Sequence, residues 1–391
     1  MDEFREQEER EEEEAPKRRW GRAFLRRLWG LLLTAAVVLG VVAVVLLQNS
    51  TYLDRARRWL AYGDGGEEGY AFASDPTNCF NQLGELLVVA SQNSLQFLEQ
   101  DGTAFFSHQV QLSQPALDVG GDFAVAYDIG GRNLVVTSKE AVVLELTLED
   151  GYGWISARLN EKGWLTVVSE KSGYKGTVTV YNDQQQPVFT YNSSSRFLMD
   201  AQTSAGCRTV LVEALGQEGG SFCTQQITYE LDKTEPSGEM LLMDHLSMDL
   251  QQMESAWVSI SDNDIAFTDG MGTQMGEYAY GGLYLRQYSL GGSGFIALLL
   301  NRYQAGSIGT LVTVDEAGEV IASMDVTQEV LDVSAAGNYL AVLMSNSLVI
   351  YDRELKEYGR LEDTDYANRV LMETDGSALV IGGSRAFRYL P

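Results

Sequence analysis

Two histidines and three cysteines are all that 391 residues offer of the commonest nucleophiles and metal ligands. With His108 and His245 alone, a multi-histidine metal centre cannot be assembled and Ser-His-Asp or Cys-His chemistry has little material, so a satisfied structural role is expected for each. Cys79, Cys207 and Cys223 are too few and too irregularly spaced for a disulfide framework or paired CxxC zinc ligands. Cys207 and Cys223 could flank one hairpin and bridge; buried free thiols are the other reading. Proline is scarce too, six residues against 39 glycines spread along the chain, which argues against a disordered or fibrous class. Cations run short from Trp59 onward, where 17 Lys/Arg face 45 Asp/Glu for a net charge of −28. A surface that acidic repels phosphate backbones, because nucleic-acid binding rests on Lys/Arg displacing counterions, and no nucleic-acid partner is expected. Helical patterns between the apolar strands are also missing, which excludes a parallel α/β fold.

One charge-free run is present near the N-terminus. Leu28–Leu47, "LWGLLLTAAVVLGVVAVVLL", holds 20 residues of which 13 are Leu or Val. As a helix it spans about 30 Å, and insertion is favourable by about 5 kcal/mol before end effects. It exceeds the apolar region of a cleaved secretory signal and is followed by "QNSTYLDRARRW" without an A-x-A site, so a retained signal anchor over 28–48 is expected. Trp29 on one side and Tyr52 and Trp59 on the other fit the two interfaces. Six cations precede the span (Lys17, Arg18, Arg19, Arg22, Arg26, Arg27) and three follow it (Arg55, Arg57, Arg58), which puts the N-terminus in the cytoplasm. The expected order is a charged cytoplasmic tail over 1–27, the transmembrane helix over 28–48, a juxtamembrane linker over 49–68 and an extracytoplasmic domain over 69–391. The tail reads as a solvated arm rather than a binding element.

The large domain repeats. A glycine turn followed by a short apolar strand occurs at Gly84, Gly121, Gly163, Gly206, Gly294, Gly337 and Gly376, and "SAWVSIS" around Trp257 fills the one double gap. Seven intervals cover 292 residues, a mean of 41.7. Stretches such as "LQFLEQDGTAFF", "TVTVYNDQQQPVFTY", "TLVTVDEAGEVIAS" and "SLVIYDRELKEYGRL" follow as strand, acidic or polar turn, strand. Four short antiparallel strands in about 42 residues are the content of a propeller blade. The fold class expected is all-β, a β-propeller of eight blades, or seven if the unit around Trp257 fails, preceded by the transmembrane helix. The final "SRAFRYLP" then supplies a third strand only, and the segment near "YAFASDP" is expected to complete that blade, which removes two open sheet edges.

This layout resembles an uncharacterised family of single-pass, membrane-anchored β-propeller proteins of Gram-positive, clostridia-like bacteria, with WD40-like or quinoprotein-like hairpins. "LEQDGTAFF" from Leu98 and "VDEAGEVIA" from Val314 are similar to the quinoprotein repeat hairpin but lack its closing tryptophan. The resemblance implies a fold and a location and transfers no catalytic residue.

Candidate chemistry is thin. "SDNDIAFTDG" (Asp262, Asp264, Asp269) lacks the spacing and closing Glu of a calcium loop and reads as a turn between strands. Met240, Met243, Met248 and Met253 surround His245 as copper ligands would, but Met240 and Met243 fall on opposite strand faces, so pliable packing between blades is expected. "GEYAYGGLYLRQY" brings Tyr278, Tyr280, Tyr284 and Tyr288 together; as exposed rings they offer a platform for sugar or peptide, and as good strand formers they need no function. No catalytic residue, metal or cofactor is expected. The sequence therefore points to a non-enzymatic binding, scaffold or sensor protein in the cell membrane, anchored through 28–48 and engaging an envelope protein or cell-wall component. The alternative is a polysaccharide hydrolase or lyase using carboxylates in an acidic channel.

Overall fold

The computed structural model describes residues 69–391 and eight helical residues upstream: Leu32, Leu33, Thr34, Val37, Val38, Gly40, Asp54 and Arg58. The expected tail 1–27, most of the anchor 28–48 and most of the linker 49–68 lie outside the described residues, among which no helix is long and apolar enough to cross a membrane. The chain divides into two compact units, Met1–Arg57 and Arg58–Pro391. The second is the β domain.

That domain contains 32 strands, β1–β32, in eight four-stranded antiparallel sheets. Eight blades stand, not seven, and the unit around Trp257 is a full blade. The first strands of the blades are β2 (Cys79–Leu83), β6 (Pro115–Gly120), β10 (Trp154–Leu159), β14 (Leu198–Thr203), β18 (Asp249–Gln252), β22 (Tyr284–Ser289), β26 (Val330–Ala336) and β30 (Ala367–Met372). They converge on the axis and are tied to one another. Asp118 accepts from Leu159 N (2.7 Å), Gln202 from Gln252 N (2.8 Å), Ser289 from Ala335 N (2.8 Å) and Asp332 from Val370 N (2.9 Å), each acceptor lying one blade before its donor.

Two turn chemistries explain the repeat. Between first and second strands Gly84, Gly121, Gly163, Gly294, Gly337 and Gly376 all take positive φ, which side chains resist. In blade 4 that role falls to Cys207 (φ 54°) rather than to Gly206. Between third and fourth strands Asn182, Asp269, Asp315 and Asp352 each accept backbone N–H groups two or four residues on, and Gln185, Gly272, Gly318 and Leu355 take the left-handed conformation that ends the turn. This is a type I turn with a bulge, and it explains why an acidic or polar residue recurs there.

Ring closure follows the expected route. The outer strand β1 (Tyr70–Ala71) pairs with β32 (Arg385–Tyr389) as Tyr70↔Ala386 and Ala71↔Arg385, and Phe72 N continues the ladder to Ser384 O at 3.0 Å. Tyr70 and Phe72 also join a core cluster drawn from blades 8 and 1. β1 runs toward the 383–384 turn, so its first residue lies on the side of the ring that carries the glycine turns.

The core lies between blades rather than within one sheet. Seven joints are filled by apolar clusters, whereas the joint between blades 4 and 5 has only Leu211, Leu250 and Trp257 in its cluster. Cys207 and Cys223 occupy opposite ends of blade 4, the first in a glycine-type turn and the second paired with Gly216 near the other end, so no bridge forms and both thiols are free.

Candidate functional site

The axis holds a charged cluster. Arg158 on β10 reaches Asp200 on β14, its Nη2 donating to Oδ2 at 2.8 Å, and the same nitrogen donates to Asp249 on β18, two blades away. Tyr288 on β22 donates to the other oxygen of Asp249 at 3.0 Å, and Asp118 on β6 lies alongside with its backbone N–H partner. In β10, β14, β22, β26 and β30 the pairing slips by one residue, and the residue after each slip is Ser156, Asp200, Gln287, Asp332 or Arg369. A bulge re-aims the side chain that follows it. A cavity of about 880 Å3 opens at the glycine-turn end, with Asp118, Arg158, Gln202, Gln252 and Glu254 in its wall.

Burial and charge oppose each other here. Burial works against the Arg158 guanidinium, but Asp200 and Asp249 outweigh it and hold the group protonated beyond its ordinary range. Burial raises the Asp249 carboxyl, with Arg158 pulling it down, and raises the Tyr288 phenol, with Asp249 adding to the effect. Asp118 is displaced most usefully: burial pushes its carboxyl up to about 6, although Arg158 and the Leu159 N–H counteract it. Chemically, the cluster can hold one proton at Asp118 up to about pH 6 and a fixed, internally compensated ion pair beside it.

The four candidate tyrosines do not form one platform. The Gly281–Gly282 turn separates blade 5 from blade 6, leaving Tyr278 and Tyr280 on one and Tyr284 and Tyr288 on the other. Tyr278 and Tyr280 are neighbours, with ring centroids 6.2 Å apart, but Tyr280 is buried and donates to Ser261 O at 3.1 Å. Tyr284 is exposed, while a bulge after Leu285 turns Tyr288 toward Asp249.

The methionine and aspartate clusters also disperse. Met243 and Met248 are exposed and Met253 packs against the joint of blades 5 and 6, so interblade packing describes only the last of these three. Asp264 opens the strand β20 (Asp264–Thr268) rather than sitting in a turn, whereas Asp262 and Asp269 flank that strand in turns.

Sequence reasoning missed a polar chain across the joint of blades 4 and 5. His245 Nδ1 meets Asp264 Oδ1 at 2.9 Å and its Nε2 meets Ser259 Oγ at 2.8 Å. Ser259 donates to Ser247 Oγ (3.0 Å), Ser247 to Glu213 Oε2, Gln226 Nε2 to Glu213 Oε1 (3.0 Å), and Thr268 to Gln226 Oε1 (2.9 Å). The order Asp, His, Ser is that of a hydrolase triad, but His245 is 1% exposed and Ser259 fully buried, so no substrate reaches the hydroxyl. The arrangement satisfies buried polar groups instead.

Solved structures with the same fold include the C-terminal WD40 domain of Sif2 (TM-score 0.58, 13% identity, 84% of this chain and 98% of that one). BamB from Moraxella catarrhalis is similar at TM-score 0.54 and 11% identity over 83% of this chain and 99% of its own. The computationally designed Ika8 protein gives 0.57 and 11% over 83% and 98%. At these identities the likeness concerns the fold alone. No curated protein matches by sequence. A family model described as "Family of unknown function (DUF5711)" matches residues 67–362, nearly the whole ring, and the chain belongs to that family.

Proposed function

We propose that the protein is a non-enzymatic binding or scaffold propeller, held at the outer face of the cytoplasmic membrane by residues 28–48 with its N-terminus in the cytoplasm, and that it engages an envelope protein or a cell-wall component. The observation that carries this reading is the Arg158 cluster. Asp200 and Asp249 are both spent on one guanidinium, whereas glycoside hydrolysis needs a proton-carrying acid facing a second, available carboxylate. A rigid ring presenting loops at either end is suited to recognition. The apolar run, its flanking cations and the acidic balance of the ring support the location. Crosslinking in the intact envelope and identification of what co-purifies tests the scaffold role, and recovery of no partner overturns it. Protease shaving of intact cells tests the topology; a ring protected until lysis refutes it.

The raised Asp118 carboxyl in the cavity wall favours the polysaccharide hydrolase or lyase as the second reading. Turnover of any polysaccharide that disappears in Asp118→Asn supports it.

A further inference from the structure

The end of the ring opposite the glycine turns is uneven. In blade 4 the hairpin of β15 (Thr209–Glu218) and β16 (Ser221–Glu230) outruns its first strand: Leu198 pairs with Ala214, so Leu215–Glu218 project by about 13 Å at about 3.3 Å per residue. Beside this projection lie the 170–175 loop of blade 3 and the 194–197 link between the two blades. They form one contiguous patch. Lys171 Nζ donates to Asn192 (2.9 Å) and lies over the Tyr174 ring at 5.6 Å, Lys175 Nζ covers the Phe197 ring at 4.6 Å, and Leu215 N donates to Phe197 O at 2.8 Å. A Cβ on Gly216 would meet both Cys223 Sγ and an Arg196 nitrogen, and Cys223 pairs with Met243.

Two properties set this corner apart. Among the described residues Lys171, Lys175 and Arg196 have no carboxylate partner, in a sequence whose acids outnumber its cations 45 to 17 from Trp59 onward. Large apolar side chains stand in the solvent next to them: Phe197 is 56% exposed, Met243 49% and Tyr174 45%, with Phe222 (59%) at the tip of the hairpin. Unpaired cations flanking exposed aromatics are the composition of a recognition surface.

We propose that this corner docks an acidic, partly apolar segment of a partner protein, its carboxylates meeting Lys171, Lys175 and Arg196 and an apolar side chain packing beside Phe197 and Met243. This rests on the binding role proposed above and names the chemistry of the partner. An anionic bilayer has the same charge but suits the site less. A flat surface must also approach the exposed Glu170 and Glu218; a peptide need touch only the corner.

The test uses the full chain in phosphatidylcholine nanodiscs and a fluorescent peptide of six Glu-Leu repeats, with a Lys-Leu peptide and phosphatidylglycerol vesicles as comparisons. The Glu-Leu peptide is expected to bind, and the triple variant Lys171→Glu, Lys175→Glu, Arg196→Glu to weaken it by about tenfold or more, with a shallower salt dependence. Phe197→Ser is expected to weaken it as well, with an unchanged melting temperature. If the reversal unsettles the fold, Lys171→Gln, Lys175→Gln, Arg196→Gln reads the same loss. Affinity unchanged in these variants overturns the proposal, as does failure of the Glu-Leu peptide to bind, or a charge-sensitive attachment to the vesicles without peptide binding. Peptide binding lost in the variants while envelope crosslinking finds no partner removes the scaffold role and keeps the corner; a crosslinked partner with variant-insensitive peptide binding does the reverse.

Discussion

Replacing Arg158 by methionine keeps the volume in the channel and removes the only cation among the described residues that Asp200 and Asp249 contact. Their side chains are 8% and 16% exposed, so each is left as a nearly desolvated charge. Breaking a buried pair in this way costs about 3 to 5 kcal/mol, and the 27% exposure of Arg158 itself points to the lower figure, about 3 kcal/mol. For a domain of this length that lowers the melting temperature by about 4 °C. The pH dependence is diagnostic. Without the guanidinium, the burial that already raises the Asp249 carboxyl is no longer opposed, so protonation there favours the folded state. The deficit is then small below about pH 4 and grows as pH climbs through the raised value of Asp249. Thermal melts at pH 5 and pH 8 should show the larger loss at pH 8, and Asp200→Asn with Asp249→Asn should restore most of it. A melting temperature within about 1 °C of the parent at pH 8, or a larger loss at pH 5, would refute the reasoning.

Asp118 gives a second pH signature. With its folded value near 6 and its ordinary value at 3.8, it contributes stability below about pH 4 that is lost as pH rises to 6, so Asp118→Asn should flatten the stability–pH curve over that interval in denaturant titrations. Tyr70→Ala empties the joint between blades 8 and 1 and should cost about 3 kcal/mol, with faster amide exchange along β32 as the accompanying sign. His245→Phe leaves Asp264 and Ser259 without their shared partner and should cost about 2 to 3 kcal/mol in the same titrations; a neutral result would mean that solvent already reaches the joint.

Ring architecture was legible because it is written in local chemistry that returns every blade. A left-handed turn glycine and an Asx turn each need a particular residue at a fixed place, and "SRAFRYLP" left an unpaired edge that only the start of the domain could fill. The axial cluster was not legible for the opposite reason. Asp118, Arg158, Asp200 and Asp249 come from four blades, and the distance from channel residue to the left-handed turn residue is not constant: Asp118 precedes Gly121, Arg158 precedes Gly163 and Asp200 precedes Cys207 by different intervals. The tyrosines were only partly legible: Tyr278 and Tyr280 are neighbours, but Gly281–Gly282 joins two blades and Leu285 precedes a slip, so Tyr284 and Tyr288 belong to another sheet. His245 meets Ser259 and Asp264 only across a blade joint, which no spacing encodes.

The one joint filled by polar side chains has a mechanical meaning. Greasy sheets tolerate sliding past one another, but a relay of directed bonds from Asp264 through His245 and Glu213 to Thr268 closes in one alignment only, so it works like a key that fixes the pitch of the whole circle. Water can replace such bonds more readily than it can replace packed hydrocarbon, and under tension between two neighbours that seam would be the first to part.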